Sequence, residues 1–246
     1  MNSMPASESP FIIETTDLWR IYPLKAASAR KEPVDEQQGV QALRGVNLQI
    51  QPGKFVALKG RSGSGKTTLL NCLAGLDKPS RGKIRILGCD LDTMSEQDLT
   101  FWRRIHIGLI FQSFGLLPTL SAFENVELLL RIKGEPYEIR RLRSLECLEK
   151  VGLTKWKDHR PYEMSGGQQQ RVAVARALAN QAEIILADEP TGELDSKTSQ
   201  ELIKLFRDLV QKDKITFLMV SHDPLVDQFV DQVHLLKDGV IIYKEQ

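Results

Sequence analysis

Phe55-Val-Ala-Leu-Lys59-Gly60-Arg-Ser-Gly-Ser-Gly65-Lys66-Thr67 is the stretch that decides the fold. Phe55 to Lys59 reads as a short apolar strand, and Lys66 to Leu76 as a helix. Between them lies a glycine-rich loop, Gly60, Arg61, Ser62, Gly63, Ser64 and Gly65. With Lys66 and Thr67 it fits G-x-x-x-x-G-K-[ST] in the strand-then-helix setting that gives the pattern its meaning. Glycines let the backbone come close to phosphate oxygens and aim N–H groups at them. The helix start adds positive potential. Lys66 supplies a mobile charge for the outer phosphates, and the Thr67 hydroxyl suits Mg²⁺, a hard cation that takes oxygen ligands.

A phosphate loop of this kind needs a carboxylate at the end of a neighbouring strand. Ile184-Ile-Leu-Ala-Asp188-Glu189 supplies it. The unbroken apolar run reads as a strand buried on both faces, as a parallel sheet requires. Asp188 is the expected holder of Mg²⁺ through water. Glu189, one residue on, points elsewhere and is the candidate general base toward an attacking water.

Around this pair the chain alternates strand and helix. Residues 11–22 and Val40–Ile50 read as partner strands, and Gly82–Leu87 and Ile105–Phe111 as further strands. Ser95-Glu-Gln-Asp98 has the cap and acidic first turn of a helix start. Residues 113–180 read as mostly helical. Within them Ile139, Leu142, Leu145, Leu148 and Val151 recur every three residues, which predicts one buried helix face. Arg140, Arg141 and Arg143 fall off that face, as a solvated helix side or a basic cluster for acidic lipid or nucleic acid. Ser196–Lys212 reads as a helix, Ile215–Val220 as a strand and Pro224–Val230 as a short helix. Val233–Lys237 and Val240–Tyr243 pair across Asp238-Gly239, a hairpin signal. The polar start, 1–10, and the proline-containing polar stretch 23–39 read as a tail and an exposed loop.

The chain of 246 residues has 33 Lys+Arg and 32 Asp+Glu, a net charge of +1, so no nucleic-acid partner is expected. No apolar run reaches the ~18–20 residues of a bilayer span, and the start lacks a secretory pattern. Cys72, Cys89 and Cys147 are odd in number and far apart, which suits reduced thiols rather than disulfides or zinc.

Ser165-Gly166-Gly167-Gln168 sits before a helix running from Gln169 to Asn180, with Ser165 a good N-cap. By itself this is a capped turn. Preceded by Met164 and lying upstream of Asp188-Glu189, it resembles the signature motif of ABC-type ATPases, with Met for the usual Leu. Other elements follow in order. Gln112 looks like the Q-loop glutamine, Gly192-Glu-Leu-Asp195 like the D-loop, and His222 in Val-Ser-His-Asp like the switch histidine. Tyr22 matches the aromatic that stacks on adenine, with Trp19 a substitute. The resemblance covers about residues 11–245. Gly108-Leu-Ile-Phe-Gln112 through Asn125-Val126, with Leu73-Ala-Gly-Leu-Asp77-Lys-Pro-Ser-Arg-Gly82, is similar to the branch of macrolide-export, lipoprotein-release and peptide-antibiotic-resistance ATPases. Arg61 replaces a common Pro, and Glu193 stands where Asn or Ala is frequent.

The resemblance implies an α/β P-loop NTPase. Its parts are a RecA-like parallel-sheet core, an N-terminal antiparallel β subdomain and an inserted helical subdomain at about 113–180, all within a single ATP-binding domain at 11–246. It implies an ATPase that binds ATP and Mg²⁺ through Tyr22, residues 60–66, Thr67 and Thr68. Thr67, Gln112 and Asp188 form the metal side, and Glu189, His222 and Gln112 the catalytic group. It further implies a head-to-tail second copy supplying Ser165–Gln168 in trans, and an integral membrane permease. The location implied is cytoplasmic, on the inner face of the membrane. The output is export or extraction of a lipophilic or peptide substrate, or instead mechanical regulation of envelope machinery. A soluble DNA-repair or translation ATPase is the remaining alternative. The Phe114-Gly-Leu-Leu-Pro118 segment serves as a permease groove, as inter-lobe core, or as both.

Overall fold

The computed structural model describes residues 9–23 and 39–245. Most of the polar start and of the 23–39 loop lies outside the described residues. Two sheets build the molecule. β1 (Ile13–Pro23), β2 (Gly39–Ile50), β4 (Arg81–Ile86) and β5 (Cys89–Asp90) form an antiparallel sheet in the order β2-β1-β4-β5. The second sheet has the order β10-β9-β3-β8-β7-β6. It contains β3 (Phe55–Lys59), β6 (Ile107–Ile110), β7 (Ile184–Asp188), β8 (Thr216–Val220), β9 (Gln232–Lys237) and β10 (Val240–Glu245). All its pairings are parallel except the β9–β10 hairpin.

The central strands β3, β7 and β8 are apolar except at an end residue (Lys59, Asp188 and Thr216) because the sheet is covered on both faces. Phe55, Ala57, Ile185, Ala187, Phe217 and Met219 enter one core. Val56, Leu58, Ile184, Leu186, Leu218 and Val220, the alternate residues, enter the other. The first core is closed by α3 (Ala122–Lys133), α4 (Tyr137–Lys150), α5 (Gly166–Ala179) and α6 (Ser196–Asp213). The second lies under the antiparallel sheet with α1 (Lys66–Leu73) and α2 (Glu96–His106). Phe206 of α6 stacks on Phe217 at 4.5 Å, and both meet Phe55. Truncating any of the three to Ala would cost about 3–5 kcal/mol.

Helix starts follow the expected chemistry. Ser95 caps α2, accepting from the Asp98 N–H, and Ser121 and Glu124 close a capping box at α3. Helix α1 ends at Leu73 rather than Leu76, because Gly75 adopts a left-handed φ of 61°. The segment after His222 is a 3₁₀ turn, Pro224–Gln228.

The predicted buried face of α4 is corrected. Ile139 and Leu142 are 40% and 60% exposed, and the buried residues are Ser144, Cys147 and Leu148. A strict three-residue spacing slips about 60° per step on a 3.6-residue helix, so the row of apolar residues winds off the buried side. The arginines are not uniformly solvated either. Arg140 donates to Glu127 at 2.7 Å, Arg143 approaches Glu135, and Arg141 is exposed.

The cysteines are free. Burial pushes the Cys72 thiol up to about 12 and Cys147 up to about 11, which keeps both protonated and unreactive. Among the described residues no helix is long and apolar enough to cross a membrane.

Candidate active site

Strands β3, β8 and β7 are adjacent, and their C-terminal ends deliver the functional groups to one edge of the sheet. From β3 the chain enters the Gly60–Gly65 loop and then α1. Gly60 has φ +153°, and a Cβ there would lie 2.2 Å from the Leu236 carbonyl oxygen. Only glycine lets the loop lie this tightly on the β9–β10 hairpin. The hairpin turn, Asp238-Gly239, backs the loop from below. The Gly239 N–H donates to the Ser64 carbonyl at 3.0 Å, and the Arg44 N–H donates to the Gly239 carbonyl at 2.8 Å.

Lys66 is buried, and its Nζ donates to the Gly60 and Arg61 carbonyls at 2.9 and 3.0 Å. The ammonium is thus curled over the loop, where outer phosphates would lie. The buried Ser64 Oγ has no hydrogen-bond partner. A triphosphate in the loop fits both features, offering acceptors to the ammonium and to the orphaned hydroxyl.

The Thr67 hydroxyl, on the first turn of α1, is hydrogen-bonded to Asp188 at the end of β7. Burial raises the Asp188 carboxyl above the usual carboxylate range, the Thr67 hydrogen bond opposes that shift, and the charge of Glu189 adds to it. Two hard oxygen donors held together at the mouth of an anion-binding loop fit Mg²⁺. Gln112, just past β6, is exposed, and its Nε2 lies 3.1 Å from where a Cβ on Gly192 would stand.

Glu189 has a left-handed φ of 43°, a conformation that costs a non-glycine residue roughly 1–2 kcal/mol. Its N–H donates to Val220 of β8, and its carbonyl accepts from Gly192, which holds the strained residue in place. Its carboxylate Oε2 lies 3.4 Å from His222 Nδ1. His222 is 71% exposed and free to meet a ligand.

Tyr22 lies beside this edge. Its hydroxyl donates to Asp77 at 2.6 Å, and its ring carries the Arg20 guanidinium 4.4 Å from the centroid. Arg20 also pairs with Asp77 at 2.6 Å. Trp19 is occupied differently, with Arg81 over its ring and its indole N–H on Asp17. Tyr22, and not Trp19, adjoins Thr68 of α1, through a side-chain hydrogen bond.

Ser165 caps α5, accepting from Gln168 N–H at 3.3 Å, while Gln168 Oε1 accepts from Ser165 N–H at 2.9 Å. The glycines of this helix start are covered from the 192–198 side. A Cβ on Gly166 would stand 3.6 Å from Leu194 and Phe114, and one on Gly167 would stand 2.4 Å from Thr198. Asp195 caps α6, accepting from Lys197 and Thr198 N–H and the Thr198 hydroxyl, and these hydrogen bonds lower its carboxyl.

The segment after Gln112 is divided between core and surface. Leu116 packs on the core, while Phe111 and Leu117 are exposed in a groove of about 450 Å³ with Leu109, Leu128 and Ile132. Arg176 of α5 props this segment, donating to the Gly115 and Phe114 carbonyls. Sequence reasoning missed three supports: Arg20 with Asp77 beneath Tyr22, the Gly239 turn beneath the phosphate loop, and Asn125. Asn125 accepts from Leu117 N–H and donates to the Leu117, Leu120 and Ser121 carbonyls. A buried Asn one turn after a Ser helix cap is the local signal for such a hub.

The ABC transporter family profile matches residues 43–192. An ABC transporter ATP-binding protein of Methanocaldococcus jannaschii, MJ0796, is 46% identical, covering 84% of this chain and 90% of that protein. The lipoprotein-releasing system ATP-binding protein LolD of Bacteroides fragilis is 44% identical, covering 82% of this chain and 94% of that one. A macrolide export ATP-binding/permease protein, MacB, of Rhodopseudomonas palustris is 45% identical over 87% of this chain, which spans about a third (32%) of that longer protein. A solved dimeric post-hydrolysis state of the MJ0796 cassette bound to ADP and Pi superposes with a TM-score of 0.83, at 41% identity over 95% of this chain and 98% of that one.

Proposed function

This chain belongs to the ABC transporter family and is one of its ATPases, and from that premise we propose that it powers a separate membrane permease by closing head to tail with a second copy of itself around ATP. The observation that carries the reading is the convergence of Lys66, Thr67, Asp188, Glu189 and His222 on one sheet edge, together with an exposed Ser165 at a second glycine-containing helix start.

Tyr22 takes the adenine on its free face, and the Gly60–Gly65 N–H groups with Lys66 take the phosphates. Thr67, Asp188 and Gln112 would hold Mg²⁺, whose charge would offset that of the phosphate oxygens. Glu189 accepts the proton of the attacking water, and His222, paired with it, donates toward the γ-phosphate. The partner's helix start closes over that phosphate with backbone N–H groups and a serine hydroxyl. Loss of the γ-phosphate removes what joins the two subunits, and the assembly loosens.

The groove beside Phe111 and Leu117 suits an amphipathic cytoplasmic helix of the permease. The likeness to lipoprotein-release and macrolide-export proteins favours a lipophilic or peptide cargo, exported or extracted, with this subunit cytoplasmic and peripheral on the membrane. Glu189→Gln tests the reading. It should lower hydrolysis by about 10²–10⁴-fold and trap an ATP-dependent dimer in sedimentation velocity. A monomeric variant in saturating Mg-ATP would overturn the head-to-tail mechanism. Co-purification of a permease with a solute path supports transport. A partner with a large extracytoplasmic domain and no such path would replace it with mechanical regulation.

A further inference from the structure

We propose that Arg61 of one subunit and Glu193 of the partner subunit form an ion pair across the closed assembly, so that each nucleotide-facing seam carries one such pair. The inference rests on the head-to-tail reading above and adds a specific contact to it.

Arg61 is the second residue of the phosphate loop. Its carbonyl is occupied by Lys66 Nζ and the Ser64 N–H, while its side chain is exposed and makes no hydrogen bond or ion pair with any described residue. A cation rooted beside the phosphate loop is therefore exposed and unengaged among the described residues. Glu193 is the converse. Two turn hydrogen bonds, Gly192 N–H to Glu189 and Leu194 N–H to Thr191, fix the backbone on either side of it. Leu194 turns inward against Gly166, leaving Glu193 exposed and without a partner among the described residues, Lys197 of the next helix turn included.

The surface Glu193 occupies is set by its neighbours. Leu194 touches Gly166 and Thr198 touches Gly167, so the 192–198 segment and the Ser165–Gln168 helix start form one continuous surface. Whatever brings that helix start to a γ-phosphate in a partner's loop also brings Glu193 to the rim of the same loop. A carboxylate delivered beside a triphosphate is repelled unless a cation meets it, because like charges facing each other in an interface disfavour association. Lys66 is committed to the loop and the phosphates. Arg61 is the loop's remaining cation, and a guanidinium matches a carboxylate with two parallel hydrogen bonds.

Charge exchange tests the pair, in the Glu189→Gln background, with ATP-dependent dimerisation measured by sedimentation and ATP affinity measured on the dilute monomer. Arg61→Glu and Glu193→Arg should each weaken the dimer at least about tenfold. The double exchange, Arg61→Glu with Glu193→Arg, should return it to within about threefold of the parent. Raising salt should shrink the difference between the single variants and the parent. Single variants that dimerise like the parent, or a double exchange as weak as the singles, would overturn the pair. A parent that stays monomeric in ATP would instead overturn the head-to-tail reading itself, so the two failures are distinguishable.

Discussion

At the scale of single residues, Asp188 is held above its ordinary range by burial at the end of β7. A carboxyl raised in the folded chain stabilises it most fully below the unfolded value of 3.8, and that contribution is lost as pH rises through the raised folded value. The ionised group is thus a cost to the nucleotide-free fold at neutral pH. Asp188→Asn should raise the Tm of the nucleotide-free protein at pH 7, and this gain should shrink as pH is lowered toward the acid range. The same substitution should abolish Mg²⁺-dependent hydrolysis. Thermal scans across pH check the first outcome and phosphate release the second. Gly60→Ala tests the loop's seat on the hairpin. With the Leu236 carbonyl 2.2 Å from the new Cβ, the loop must shift, and ATP affinity should fall by at least about tenfold in equilibrium dialysis.

At the scale of elements, most boundaries were legible because local chemistry sets them. The Ser95 and Ser165 caps and the Asp238-Gly239 turn are self-contained signals that tertiary packing had no reason to override. The alternation of β3, β7 and β8 between two cores was equally readable as unbroken apolar runs. Helix α4 was not, because five apolar residues spaced by three look like a face without tracing one. Leu142→Gln should therefore leave stability within about 0.5 kcal/mol, while Leu148→Ala should cost about 2–5 kcal/mol in urea unfolding. Asn125 marks the other kind of miss. Its four hydrogen bonds tie residues 117–121 to α3, a job that composition does not advertise. Asn125→Ala strands those buried backbone groups and should cost at least about 2 kcal/mol.

At the scale of the whole molecule, the site's residue types were readable in the chain, and their mutual support was not. The phosphate loop, Asp188, Glu189 and His222 each lie at a strand end that the sequence marks. The ring contact of Arg20 on Tyr22 and the cover of Leu194 and Thr198 on the signature glycines arise only when distant segments fold together. The groove behaves likewise, drawing Leu109, Leu117 and Ile132 from separate elements. Leu117→Asp or Ile132→Asp should leave hydrolysis by the isolated subunit unchanged and abolish co-purification with the permease. Both side chains are exposed, and the loop around Leu117 is held through its backbone.

The β9–β10 hairpin deserves a practical reading by anyone engineering the chain. Because its turn underpins Ser64 and its Leu236 carbonyl meets Gly60, deleting residues 232–245 would expose β3 as a raw sheet border and unseat the nucleotide cradle at one stroke. Trimming the carboxyl side for crystallisation, or splicing a rigid fusion into that turn, would cripple catalysis from a place far from it in sequence.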